Sequence, residues 1–276
     1  MEIYLLIFFV GAFAGVMTGL VGASGMLVVV PCMILLRYSA YQAIGISLAV
    51  DVVASGIVSV AYYRHGRVDL RRGLGIAAAA VIGAQFGSRW VFRVPEVGLS
   101  GGFGVLLLIA AVVFWRQGAG QGGLQTTIAR FRASQLAAYL ERFPGLTSAG
   151  LGLGVGIISG MFGVGGGIVF LGALLLLGYS LHEAVGTSTL IMTLTTLSGA
   201  IGHAMAGTLP YLTIIIATAG TIIGSLASAR FANRLDERTL GIAIAILFMI
   251  LGVGLIFLTV MSHLEGLSAN GTYVIR

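Results

Sequence analysis

Residues 145–177 read GLTSAGLGLGVGIISGMFGVGGGIVFLGALLLL, thirty-three positions without a charged side chain. A continuous helix of that length would be about 50 Å long at 1.5 Å per residue, against a bilayer hydrocarbon core of about 30 Å. The run must break inside the membrane, and Gly163-Val164-Gly165-Gly166-Gly167 is where backbone freedom makes a break cheapest. Residues 3–36 pose the same problem and carry Gly22-Ala23-Ser24-Gly25 at the matching place.

Composition confines the rest of the chain to the same solvent. Of 276 residues, 58% are apolar and 9% charged, and the mean hydropathy is +1.06. A soluble domain has about 25% charged residues, and a disordered chain needs low hydrophobicity and high charge. Outer-membrane barrels alternate apolar and polar positions, whereas these apolar runs are unbroken. The fold class is therefore an all-α polytopic membrane protein. Six further runs of ordinary spanning length are Gln42–Tyr63, Gly73–Trp90, Val97–Trp115, Ala184–Ala206, Tyr211–Ala229 and Thr239–Met261. The net charge of +6 rests on arginine, with no lysine, and the arginines fall between spans. The positive-inside rule explains that placement without any nucleic-acid partner. The single Cys32 excludes a disulfide framework and a zinc cluster, so neither a metal nor another cofactor is implied. The opening MEIYLLIFFV has no positive n-region and runs on apolar, unlike a removable signal peptide.

The two long runs begin two copies of one unit. An ungapped shift of 141 residues matches 20 of the 86 positions from Gly11 to Glu96, where composition would give about eight. Matched positions include Gly22/Gly163, Gly25/Gly166, Ser47/Ser188, Arg89/Arg230 and Arg93/Arg234. The expected organisation is repeat 1 over 1–116, a polar linker over 117–144, repeat 2 over 145–261 and a polar tail over 262–276. Each repeat is a broken or re-entrant first helix followed by three transmembrane helices. If each broken segment turns back, arginines divide eleven to four between the two sides; if each crosses, nine to six. The first partition obeys the positive-inside rule better and predicts inverted repeats with helical hairpins. Within the linker, Leu124–Arg142 has helical apolar spacing and arginines, which suits an interfacial helix or, alternatively, a partner-binding one.

A helix interrupted at mid-membrane presents backbone N–H groups and the positive end of its dipole, which bind anions without a charged side chain. Paired broken helices at matching repeat positions mark the substrate site in many secondary transporters. The expected donors are Ser24, Gly25 and Met26 in repeat 1 and Gly165, Gly166 and Gly167 in repeat 2. Glycines four apart, such as Gly152, Gly156 and Gly160, serve close helix packing instead. Ser47, Ser188 and Thr187 are candidate hydroxyl ligands, although mid-helix Ser and Thr equally often bond their own i−4 carbonyl. Asp51 is the acidic residue deep inside a span, and His203 lies near the end of another; both are proton-coupling candidates. For His203 a place at the water interface with no role is an equal alternative. Arg89, Arg93, Arg230 and Arg234 at span ends either set topology or attract anions to the mouths of a pathway.

The Gly163–Gly167 break, the Ala184-Val185-Gly186-Thr187-Ser188 opening of the next helix, and His203 followed by Gly207 resemble the sulfite exporter TauE/SafE family, also called the toluenesulfonate uptake permease family. The first half departs from that pattern, reading Gly22-Ala23-Ser24-Gly25-Met26 and Ala43-Ile44-Gly45-Ile46-Ser47. The resemblance implies an inner-membrane, multi-pass secondary transporter of sulfur-containing anions such as sulfite, sulfoacetate or other organosulfonates, linked to the proton gradient. Its partners would be the small anion, protons and the lipid bilayer, and the reading is compatible with a homodimer. Two rival readings remain at this point. Gly22-Ala23-Ser24-Gly25 with His203 would suit a rhomboid-like intramembrane serine protease, and a passive anion channel would share the same anion site.

Overall fold

The computed structural model describes residues 2–21, 25–118, 144–177, 179–207, 209–231 and 237–271. Its helices are α1 (Glu2–Val21), α2 (Met26–Leu35), α3 (Ala40–Arg64), α4 (Leu70–Trp90), α5 (Glu96–Gly118), α6 (Pro144–Phe162), α7 (Gly167–Leu176), α8 (Leu181–Met205), α9 (Tyr211–Phe231) and α10 (Glu237–Gly271). There is no strand among the described residues. Seven helices are long and apolar enough to cross a bilayer. Large apolar side chains such as Phe86, Ile215 and Ile250 stand exposed on them, as a lipid-facing surface requires. The expected interfacial helix Leu124–Arg142 lies outside the described residues.

Helices α3 and α8 start two to three residues before their apolar runs do, because a serine precedes each. Ser39 and Ser180 accept from the N–H of Gln42 and Glu183, whose side chains accept in return from the serine N–H. These capping boxes satisfy amides that the helix start would otherwise orphan. Asp69 opens α4 in the same way by accepting from the Arg72 N–H at 3.1 Å. Helix α10 continues past Met261 to Gly271, through residues expected as a polar tail.

The chain forms two compact units. One holds α1–α4 and α6–α9, and within it the packing repeats under the 141-residue offset with partners exchanged. Gly11 and Gly15 of α1 bring that helix onto the backbone of Ala217 and Thr221 in α9. Gly152 and Gly156 of α6 do the same at Ile76 and Ala80 in α4. A methyl group at any of the four would collide with a facing carbonyl, so these glycines set the interhelical distance. The equivalent helices α3 and α8 cross in opposite directions. Gly45 at the start of α3 lies beside His203 near the end of α8, Ser55 meets Thr193 at 3.0 Å between hydroxyls, and Tyr62 lies beside Gly186.

The other unit pairs α5 with α10. Gly104 and Gly252 face each other closely, and Phe114 meets Phe248 edge to face at 5.7 Å.

Both long apolar runs break where their glycines lie. Helix α1 ends at Val21 and α2 begins at Met26; α6 ends at Phe162 and α7 begins at Gly167. Each break turns the chain back on itself. Gly25 rests against the backbone of Ala14, and Gly166 against the side chain of Val155, each eleven residues earlier. In an unbroken helix such residues would stand about 16 Å apart.

Candidate functional site

The break between α6 and α7 is buried and surrounded by side chains of both halves. Gly163 and Gly166 have φ of +69° and +73°, a left-handed backbone that side chains rarely adopt, and this lets four residues reverse the chain. The Gly163 N–H still donates to Ser159 O at 2.8 Å, closing α6. The Gly166 N–H points at the carbonyl of Val164. The amides opening α7 at Gly167 and beyond have no acceptor within the helix, and the positive end of its dipole lies with them.

Helix α3 supplies the facing wall. Ser47 Oγ donates to Gly163 O at 2.9 Å, which pins the loop from the other repeat. One turn on, Asp51 is fully buried, and its Oδ2 occupies the space where a Cβ at Gly165 would stand. Met192, the residue that matches Asp51 in repeat 2, closes the same spot with its Cγ and Sδ. A further turn along, Ser55 Oγ donates to Asp51 O at 2.6 Å and receives the Thr193 hydroxyl. Ser47, Asp51 and Ser55 thus form a polar stripe at i, i+4, i+8 on one face of α3.

The remaining sequence candidates divide. Gly165 and Gly167 lie at this break with Ser47 and Asp51. His203 is buried one element away, its Nε2 3.4 Å from Gly160 O and its ring 5.2 Å from that of Phe92. Its side chain is therefore not exposed to solvent. Ser188 donates to Val185 O at 3.0 Å within its own helix. Thr187 does not face the break: its hydroxyl accepts the Asp69 N–H at 3.0 Å in the loop between α3 and α4. Adjacent residues on a helix point about 100° apart, so Thr187 cannot share the direction of Ser188. In repeat 1 the Gly25 N–H is taken by Thr18 Oγ1 at 2.9 Å, so it is not an open donor. Met26 opens α2, and Ser24 lies outside the described residues. Arg89 and Arg93 are exposed; Arg230 is in α9, and Arg234 lies outside the described residues. No cluster of metal-ligating side chains occurs among the described residues.

Thr187 belongs instead to a small network at the loop end of α4. Tyr179 OH donates to Asp69 Oδ2 at 2.6 Å, and the Arg72 guanidinium lies 5.9 Å from the Tyr179 ring centroid. The Tyr179 hydroxyl holds the Asp69 carboxyl below the usual carboxylate range. Burial, reinforced by Asp69, pushes the Tyr179 phenol up to about 12.

Several of these residues carried no sequence signal of their own. Thr18, Ser159 and Met192 stand in apolar stretches and matter through what the fold sets against them. Thr18 and Ser159 nonetheless match across the repeat as two hydroxyls, a signal visible once threonine and serine are counted as equivalent.

The family model for the sulfite exporter TauE/SafE matches residues 7–255. The chain is 27% identical over 256 residues to the Bacillus subtilis (strain 168) protein "Probable membrane transporter protein YdhB", covering 92% of this chain and all of that protein. It is 23% identical over 270 residues to "Probable membrane transporter protein YunE" of the same organism, covering 92% of this chain and 97% of that protein. No solved structure shows a significant match. A multi-pass helical membrane protein, broken twice at glycines and matched along nearly its whole length, this chain belongs to the sulfite exporter TauE/SafE family of membrane transporters.

Proposed function

We propose that the protein is a proton-coupled secondary transporter of sulfur-containing anions, sulfite and small organosulfonates, whose substrate binds at the α6–α7 break. The observation that carries this reading is the position of the Asp51 carboxylate against Gly165, at the positive end of α7. A buried acid is tolerated in a membrane span when it is paired or protonated, and a helix start is a ready partner. The same helix start is the part of the site that attracts an anionic solute. Two negative charges a few ångströms apart in a low-dielectric interior repel strongly, so both cannot occupy it ionised. Substrate binding therefore requires Asp51 to take up a proton, and that step ties the anion to the proton gradient.

Opposed repeats complete the mechanism. The antiparallel crossing of α3 and α8 supports an inverted-repeat transporter in which one half rocks against the other around the break. The amides and dipole at the start of α7 hold the anion without a fixed cation, which favours release. The relatives' names place them among membrane transporters, and this supports transport over peptide cleavage.

The test is counterflow in proteoliposomes containing the full chain. Labelled sulfite should enter vesicles preloaded with sulfite, sulfoacetate or methanesulfonate and should not respond to preloaded amino acids. Equal entry into empty and preloaded vesicles, with no uphill accumulation under a pH gradient, would instead indicate a channel.

A further inference from the structure

The two breaks share a sequence pattern but differ at one matched pair of hydroxyls, Thr18 and Ser159. In repeat 1 the hydroxyl of Thr18 is doubly engaged: it donates to Ala14 O at 3.0 Å and accepts the Gly25 N–H at 2.9 Å. Gly25 packs so tightly on Ala14 and Thr18 that nothing fits between them. In repeat 2 the matching residue is Ser159 and the matching amide is that of Gly166. The Gly166 amide has turned toward Val164 O, and the Ser159 hydroxyl, fully buried, has no hydrogen-bond partner.

The face of α6 that carries Ser159 is the one that meets the second break. Val155 and Ser159 lie one turn apart on the same face of α6, and the Val155 side chain touches Gly166 at the start of α7. The Ser159 carbonyl receives the Gly163 N–H on the other side. A buried hydroxyl left unsatisfied costs free energy that a bound ligand can return. Its partner must sit beside amide donors and the positive end of a helix, which selects an oxygen-bearing anion.

We propose that Ser159 Oγ is a substrate ligand at the break in repeat 2, donating its proton to an oxygen of the transported oxyanion. This rests on the transport reading above and deepens it by naming a residue.

Sulfite uptake by the reconstituted full chain tests this role of Ser159, with Thr18 as its counterpart control. Ser159→Ala should raise the KM for sulfite about tenfold or more, the loss expected for one hydrogen bond to a charged group. Its melting temperature without sulfite should stay near wild type, and Ser159→Thr, which keeps the hydroxyl, should recover most of the affinity. Thr18→Val should lower the melting temperature and leave KM within about twofold of wild type. An unchanged KM in Ser159→Ala, or an equal rise in KM from Thr18→Val, would overturn the inference while leaving the transport reading in place. If Ser159→Ala does not fold, the sulfite KM of Ser159→Cys decides the same question, a weaker donor predicting a raised KM. Absence of saturable sulfite or sulfonate flux in the wild-type chain would overturn the transport reading and this inference together.

Discussion

The Asp51 carboxylate and the Gly165 backbone touch across 114 residues of sequence, joining the third helix of one repeat to the broken helix of the other. The contact leaves no room for a side chain at 165 and sets an acid where an anionic substrate would be drawn. The proposed coupling is a consequence of that shared place.

Asp51→Asn keeps the shape and removes the exchangeable charge. Sulfite accumulation driven by an imposed pH gradient should fall to the level seen without a gradient, while sulfite–sulfite exchange persists. The measurement is uptake at several external pH values; a wild-type pH profile in the variant would reduce Asp51 to a packing role.

The Tyr179–Asp69 bond makes a prediction about pH and stability. Because Asp69 titrates below its unfolded value, about 3.9, its contribution is present above that value and is lost as pH falls through the lower folded value. Tyr179→Phe should therefore destabilise the protein at neutral pH, and the gap from wild type should close as pH drops below about 4. The Tyr179 shift acts at the alkaline end: its contribution is present below about 10 and is lost as pH rises through about 12. Thermal melts in detergent across that range check the sign; a gap that widened in acid would contradict it.

Gly156→Val should impair folding without any direct effect on the site. A Cβ there would strike the Ala80 carbonyl, and overpacking of this kind costs about 1–3 kcal/mol. The expected outcome is a lower yield of monodisperse protein and a lower melting temperature. An equivalent change at Gly154, whose surroundings are open, should be tolerated.

Much of this architecture is legible in the sequence for a simple reason: the bilayer fixes span length, so a thirty-three-residue apolar run betrays a break, and glycines give its place. The packing role of Gly152 and Gly156 follows from four-residue spacing alone. Asp51 stands out as an acid in a span, but the loop it meets is a matter of how two distant segments cross. Thr187 illustrates the opposite failure: proximity in sequence to Ser188 suggested a shared role, and helical rotation separates them. Thr18 and Ser159 are near-identical by chemistry and position, and they part only because the Gly166 backbone turns where that of Gly25 does not.

The central claim is tested most directly by Gly165→Val in proteoliposomes under an imposed pH gradient. The added side chain would displace Asp51 and fill the space before α7. Wild-type protein should concentrate labelled sulfite above its external level, and the variant, inserted and monodisperse, should not exceed empty liposomes. Equal accumulation by the two proteins would contradict an anion site at this break.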